Sequence, residues 1–255
     1  LAFVQDRRSP EEIERSYDHD IYGDYLIRVT DLETKFAGDL ARYFDVLTAS
    51  RLPAKPRILD VGCGKGHFLA RLDPNHYERY GLEPSPPLAE QARKVVGPER
   101  VQACTLAQAD YPSDFFDIVT LWAVIEHVPL PGALVADIHR VLKPGGLFLL
   151  FTPNFDSLFT RVARAMLACS GGRVRKPLSR FLNTSHILGF SLKSLGQLLA
   201  RQGFEVQEVL QDERYVTRHG LGAFAWPMRL ALRAATRISI ILAVQEALVV
   251  CASKK

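Results

Sequence analysis

Three kinds of side chain in this sequence have the types and spacing to do chemistry at one place. Asp60 is followed by three alternating glycines, Gly62, Gly64 and Gly66, in "DVGCGKG". A second carboxylate, Glu83, stands 21 positions beyond Gly62 in "YGLEPS". His127 in "IEHV" and His186 in "NTSHILGFS" bring imidazoles, the side chains best suited to exchange a proton near neutral pH. Glycine costs backbone entropy, so a cluster is kept where the chain turns tightly or another group approaches the backbone closely. Backbone N–H groups ahead of a helix can face a ligand there. A carboxylate closing the next strand is placed to accept both hydroxyls of a ribose. Together these residues describe a site for a nucleoside-containing ligand, and they do not separate nicotinamide from adenosyl groups.

Such residues need rigid elements to hold them. "RILDV", "YERYGLE", "RVQAC", "FFDIVTLW" and "LFLLFTPN" read as five strands, apolar on both faces. Between them "HFLARL", "PPLAEQARKVV" and "GALVADIHRVL" read as helices, the last stopped by "KPGG". Alternating strands and helices imply a parallel sheet covered on both sides, with the glycine loop beyond the end of the first core strand. Upstream, "SPEEIERSY" starts a helix at Ser9 and Pro10, and a second helix is expected from about Asp31 to Leu47. Downstream, the helix "SLKSLGQLLARQ", the strand "FEVQEVLQ", an apolar helix and the strand "EALVVCASKK" complete the pattern.

At 255 residues, with 47% hydrophobic and 24% charged, the chain has a core large enough to fold unaided. A net charge of +4 is too mild to argue for nucleic acid. Cys63, Cys104, Cys169 and Cys251 are scattered, which speaks against zinc or a disulfide framework and fits a cytoplasmic setting. No signal peptide and no uninterrupted apolar stretch of about 18 residues is read from the sequence.

The order and spacing of the glycine loop, "FDIVTLWAVIEHV" and "ALVADIHRVLKPGGLFLLFTPN" resemble the class I S-adenosylmethionine-dependent methyltransferases. The nearest branch in pattern holds the ubiquinone-biosynthesis O-methyltransferases and many sugar and natural-product methyltransferases. The resemblance is strong over about residues 55–155 and weaker through "HILGFSLKSLGQLLARQGFEV" and the last strand. It implies an α/β, Rossmann-like seven-stranded sheet with the last strand antiparallel. Residues 1–50 would form a helical lid, 51–155 the cofactor-binding core, 156–200 a cap, and 201–255 the end of the sheet with an inserted helix. It also implies S-adenosyl-L-methionine as cofactor and S-adenosyl-L-homocysteine as product.

Carried onto this sequence, the family pattern places Gly62, Cys63 and Gly64 beside the methionine part of the cofactor. Asp60 would hold its ammonium and Gly66 would let the next helix approach. Glu83 would bind the ribose and Pro84 flank the adenine. Thr105 and Leu106 would meet the adenine ring, Leu121 and Trp122 the amino-acid moiety, and Lys65 would be a solvated side chain. Tyr17, Tyr22 and Tyr25 either close over the cofactor, Tyr22 foremost, or pack the lid on the sheet.

His127 and His186 are the catalytic candidates, as base or acceptor contact; a structural hydrogen bond is the alternative for each. Glu126 is expected to point away from His127, as helical neighbours do. Some quinone-pathway relatives bind a divalent metal with a glutamate three residues before the Glu–His pair. Here that residue is Ala123, so no metal is expected.

Residues 156–190 hold Arg161, Arg164, Arg173, Arg175, Lys176 and Arg180 against Asp156, a local charge of +5. This is either a solvated face or an attraction to phosphate, including peripheral contact with the inner face of an anionic membrane. Arg229, Arg233 and Arg237 form one stripe of an apolar helix suited to the cap or to a homodimer partner. The reaction implied is methylation of a small-molecule, sugar or lipid-linked acceptor, with oxygen as the expected atom. The competing classes are a nicotinamide-dependent oxidoreductase, a nucleic-acid methyltransferase, against which "TPNF" speaks, and a non-catalytic cofactor-binding partner.

Overall fold

A computed structural model describes residues 2–3, 30–49, 52–171, 186–212, 237 and 246–255. Its strands are β1 (Ala2–Phe3), β2 (Arg57–Val61), β3 (Glu78–Leu82), β4 (Val101–Gln102), β5 (Phe116–Trp122), β6 (Leu142–Pro153), β7 (Leu188–Gly189), β8 (Phe204–Asp212) and β9 (Ala247–Lys254). The α-helices are α1 (Thr30–Thr48), α2 (Pro86–Val96), α3 (Pro131–Val141), α4 (Leu158–Cys169) and α5 (Leu192–Arg201). The expected first helix at Ser9, Tyr17, Tyr22, Tyr25, Arg173, Arg175, Lys176, Arg180, Arg229 and Arg233 lie outside the described residues.

Seven strands form one sheet in the order β4-β3-β2-β5-β6-β9-β8. Strands β4 to β6 run parallel to β2, while β9 is antiparallel to both its neighbours, β6 and β8. The strand order reverses between β2 and β5, the switch point where a doubly wound sheet opens a crevice beyond its carboxyl ends.

Strand alternation divides the core into two layers. Val119 and Leu121 of β5, Phe148 and Leu150 of β6 and Leu248 and Val250 of β9 pack under α3 and α5 through Val135, Ile138, Leu195 and Leu199. Ile118 and Trp122, Leu149 and Phe151, and Val249 and Cys251 face the other way, against Leu40, Phe44 and Leu47 of α1 and Ala89 and Ala92 of α2. Each fully buried Leu, Ile, Val or Phe contributes about 1.5–3 kcal/mol, so the layers hold the strand ends rigidly.

Two local expectations are corrected. "HFLARL" forms only a 3₁₀ turn, Leu69–Arg71, because the glycine-loop chain is still reversing when it reaches His67. "KPGG" lies within β6 as an irregularity: Phe116 pairs with Leu142 but Ile118 pairs with Leu147. Gly145 there has φ +73°, a conformation glycine adopts without strain. Ala2–Phe3 also pairs antiparallel with Leu188–Gly189, a contact that no local pattern announces.

Candidate active site

The carboxyl ends of β2, β3, β4, β5 and β6 lie along one edge, and the candidate residues are strung along it. From β2 the chain enters the loop through Gly62 (φ +76°), Gly64 (φ +55°) and Gly66 (φ +78°), all left-handed. The Gly62 and Cys63 N–H groups donate to the Leu82 carbonyl at 2.7 and 2.9 Å, which docks the loop on β3. A Cβ at Gly62 would lie 2.5 Å from Val124 Cγ2, and one at Gly66 3.2 Å from Ala92 Cα of α2. A Cβ at Gly64 would meet nothing within 4 Å. Two of the glycines therefore serve packing, and the third lines open space. Lys65 does not extend into solvent as expected; it is buried, carried inward where the chain reverses between left-handed Gly64 and Gly66.

Two buried carboxylates flank this space. Asp60 accepts a 2.7 Å hydrogen bond from Thr120 Oγ1 on β5. Burial pushes its pKa up to about 7; the Thr120 bond opposes the shift and the nearby Glu83 charge adds to it. Glu83 accepts the Gly64 N–H on Oε2 at 3.0 Å and the Ser85 N–H on Oε1 at 2.9 Å. Its pKa is also raised by burial, and those two backbone bonds oppose the rise. A carboxylate has about four lone-pair positions, so Glu83 keeps capacity for two further donors, the number a ribose diol offers.

The other cofactor candidates fall on the same rim. Pro84 is half-buried beside Glu83, and Thr105 follows β4, its N–H and Oγ1 both donating to Gln108 Oε1 at 2.9 and 3.0 Å. Leu106 and Leu121 are buried in one core layer. Leu121 therefore presents its backbone, not its side chain, to the rim. Trp122 packs edge-on against Phe68 at 5.3 Å, and its buried Nε1–H has no hydrogen-bond acceptor. Cys63 is buried against Gly81, and its thiol pKa is raised well above normal by burial, with the Asp60 and Glu83 charges adding to the rise.

Past β5 the chain makes a 3₁₀ turn, Ile125–His127. The segment carrying His186 returns across it. Ile187 N–H donates to the Glu126 carbonyl at 2.9 Å, and Phe155 N–H after β6 donates to Phe190 O at 2.8 Å. His127 and His186 thereby meet edge-to-face at 4.9 Å. Burial, then the neighbouring His127, pushes the pKa of His186 down to about 3.

Glu126 corrects the expectation that it diverges from His127. One ligand atom from each of Glu126, His127 and His186 lies within 4.8 Å of the other two. Its Oε2 accepts from Thr152 Oγ1 at 3.0 Å, while Oε1 is buried without a hydrogen-bond partner. Burial raises the Glu126 pKa to about 7. The trio has the residue types for proton exchange, and also for a divalent cation, with His186 in the role Ala123 does not fill. Sequence reasoning missed Thr120, Thr152 and the inward turn of Glu126.

A Rossmann-like sheet with a glycine loop, two rim carboxylates and open space at Gly64 is the arrangement that suits a nucleoside-containing ligand in a doubly wound fold. The family model described as a methyltransferase domain matches residues 31–209, so the chain belongs to that family. The nicotinamide alternative is thereby set aside. The chain is 37% identical over 119 residues to the human "Methyltransferase-like protein 27", covering 44% of this chain and 48% of the relative. It is 34% identical over 116 residues to a "Ubiquinone biosynthesis O-methyltransferase" of Xanthomonas oryzae, covering 43% and 48%. The chain thus spans about half the length of the curated relatives it matches. A Thermotoga maritima structure titled a methyltransferase, "possible histamine N-methyltransferase", superposes with a TM-score of 0.56 at 20% identity, covering 88% of this chain and 99% of that one. That likeness concerns the fold.

Proposed function

We propose that the protein transfers a methyl group to a hydroxyl of a small-molecule, sugar or lipid-linked acceptor, with His127 as the base. The observation that carries this reading is the His127–His186 pair at the mouth, brought together by a segment hydrogen-bonded to the Glu126 carbonyl. The donor fits the rim: Asp60 would hold its ammonium, Glu83 its ribose hydroxyls, and the Gly64 backbone would border it where no side chain fills the space. When bound, it supplies an activated methyl carbon on a sulfonium, displaced in line with a neutral thioether leaving.

The chain's own task is to align the acceptor oxygen and take its proton. His186, with a pKa pushed down to about 3, is too weak a base for that task near neutral pH. The proton therefore passes to His127, and His186, neutral, orients the ring or the acceptor.

On this reading His127→Ala lowers kcat by roughly 10²–10⁴-fold, the usual worth of positioned proton transfer, and leaves donor affinity unchanged. The acidic limb of the pH–rate profile disappears with it, and wild-type turnover survives chelation. Normal turnover in His127→Ala contradicts the assignment. Loss of turnover on chelation, restored by a divalent cation, moves the trio from proton transfer to metal binding. If neither histidine matters, a nitrogen or carbon acceptor replaces the hydroxyl.

A further inference from the structure

The rim beside the active site carries apolar side chains that the core does not use. Among the described residues, Leu130, Val162, Met166 and Leu192 are large hydrophobics 64%, 49%, 50% and 41% exposed. Leu130, Val162 and Met166 follow the carboxyl ends of β5 and β6, and Leu192 follows β7; Val46, Val95 and Val206, also exposed, lie on other elements. Leu130 lies just past the 3₁₀ turn after β5, and Val162 and Met166 lie on α4, directly after β6. Leu192 opens α5, two residues beyond Phe190, whose carbonyl accepts from Phe155 at the same edge. Exposed apolar groups gathered on one rim mark a contact surface, whereas scattered ones do not.

The helix α4 gives that surface its chemistry. It is firmly started, since the Ser157 side chain accepts from Thr160 N–H at 3.2 Å. Val162 and Met166 lie one turn apart, with Ala165 and Cys169 beside them, so an exposed apolar stripe runs along the helix. Arg161 is exposed at its flank, and Arg164 lies over the Phe155 ring at 4.6 Å, on the rim itself. No acidic residue occurs in the helix, and the sequence from 156 to 180 carries +5. A protein partner would need an acidic, apolar groove to match. An anionic bilayer offers apolar depth and negative surface together, and an amphipathic basic helix lies flat in such an interface.

We propose that α4, with Leu130 and Leu192, seats this protein on an anionic lipid surface, with the active-site mouth turned toward the bilayer. The surface then supplies an amphiphilic acceptor, a clause that rests on the reading under Proposed function; the docking itself does not.

The test is co-sedimentation of the full chain with vesicles of phosphatidylcholine alone and of phosphatidylcholine with phosphatidylglycerol, without methyl donor. The protein should partition onto the anionic vesicles only and be released by high salt. Arg161→Ala should weaken partitioning about fivefold, one basic residue's share at such a surface, and the pair Val162→Asp, Met166→Asp should abolish it. Both variants should keep wild-type donor affinity by calorimetry, which shows that they fold. No partitioning of the wild-type protein, equal binding to neutral vesicles, or partitioning of the double variant at the wild-type level overturns the proposal. Any of these results leaves the methyltransferase assignment standing, and failed turnover with intact partitioning strikes only the acceptor clause.

Discussion

Asp60 accepts a hydrogen bond from Thr120 of β5, and burial sets its protonation state. Its place two residues ahead of Gly62 marked it for the rim, but its state depends on Thr120, 60 residues away, which no local pattern announces. The same holds for Glu126 and Thr152. With a pKa raised to about 7 from an ordinary 3.8, Asp60 keeps its proton in the folded chain where the unfolded chain has lost it. Its contribution is therefore intact below about pH 4 and declines as pH rises through 7. Glu126 acts in the same direction. In Asp60→Asn the stability of the cofactor-free protein should fall less steeply between about pH 4 and 7. Donor affinity in the wild type should rise as Asp60 ionises toward pH 7, and in the Asn variant should not. Calorimetric titrations on both sides of neutrality check this; identical pH profiles would remove Asp60 from the ammonium.

At the scale of elements, long apolar runs were legible and the joints between them were not. The limits expected for "RILDV" and "PPLAEQARKVV" coincide with β2 and α2, because a short strand buried on both faces and a proline start are local signals. The 3₁₀ turn at Leu69–Arg71 and the irregular register at "KPGG" depend on how the loop and the neighbouring strand pack. The glycine loop was legible as a loop, but not the division of labour within it. Gly62 gives way to Val124 and Gly66 to α2, whereas Gly64 borders open space. Gly64→Val should thus fold, at a cost of roughly 1–2 kcal/mol for a left-handed non-glycine residue, yet lose donor binding. A variant with that stability loss and normal donor affinity would show that the space at Gly64 is not the donor's.

For the whole molecule, the sheet order places the last strand, β9, between β6 and β8. The final residues of the described chain thus hold the outer strand to the rest. Nothing local in "EALVVCASKK" specifies that insertion; the family resemblance anticipated its antiparallel sense. Lys254 secures it at the far end of the sheet from the active site, donating to Asp114 Oδ1 at 2.6 Å and to the Leu142 carbonyl at 2.7 Å. The Asp114 side chain is about half exposed, so the ion pair itself is discounted for screening. Lys254→Met should lower stability by about 1 kcal/mol, seen as a lower Tm, with donor affinity unaltered. A change in donor affinity would mean that the two ends of the sheet are coupled.

The central claim is that one edge of this sheet holds the methyl donor through the glycine loop and its two carboxylates. Glu83 is its keystone, because it ties the Gly64 and Ser85 backbone together and on this proposal would take the ribose hydroxyls. The most direct measurement is calorimetric titration of S-adenosyl-L-methionine into the wild-type protein and Glu83→Ala. The account predicts saturable binding, weakened in the variant by about 1.5–3 kcal/mol, the range for hydrogen bonds to a charged group. Equal affinity in the two proteins, with both folded, would contradict it.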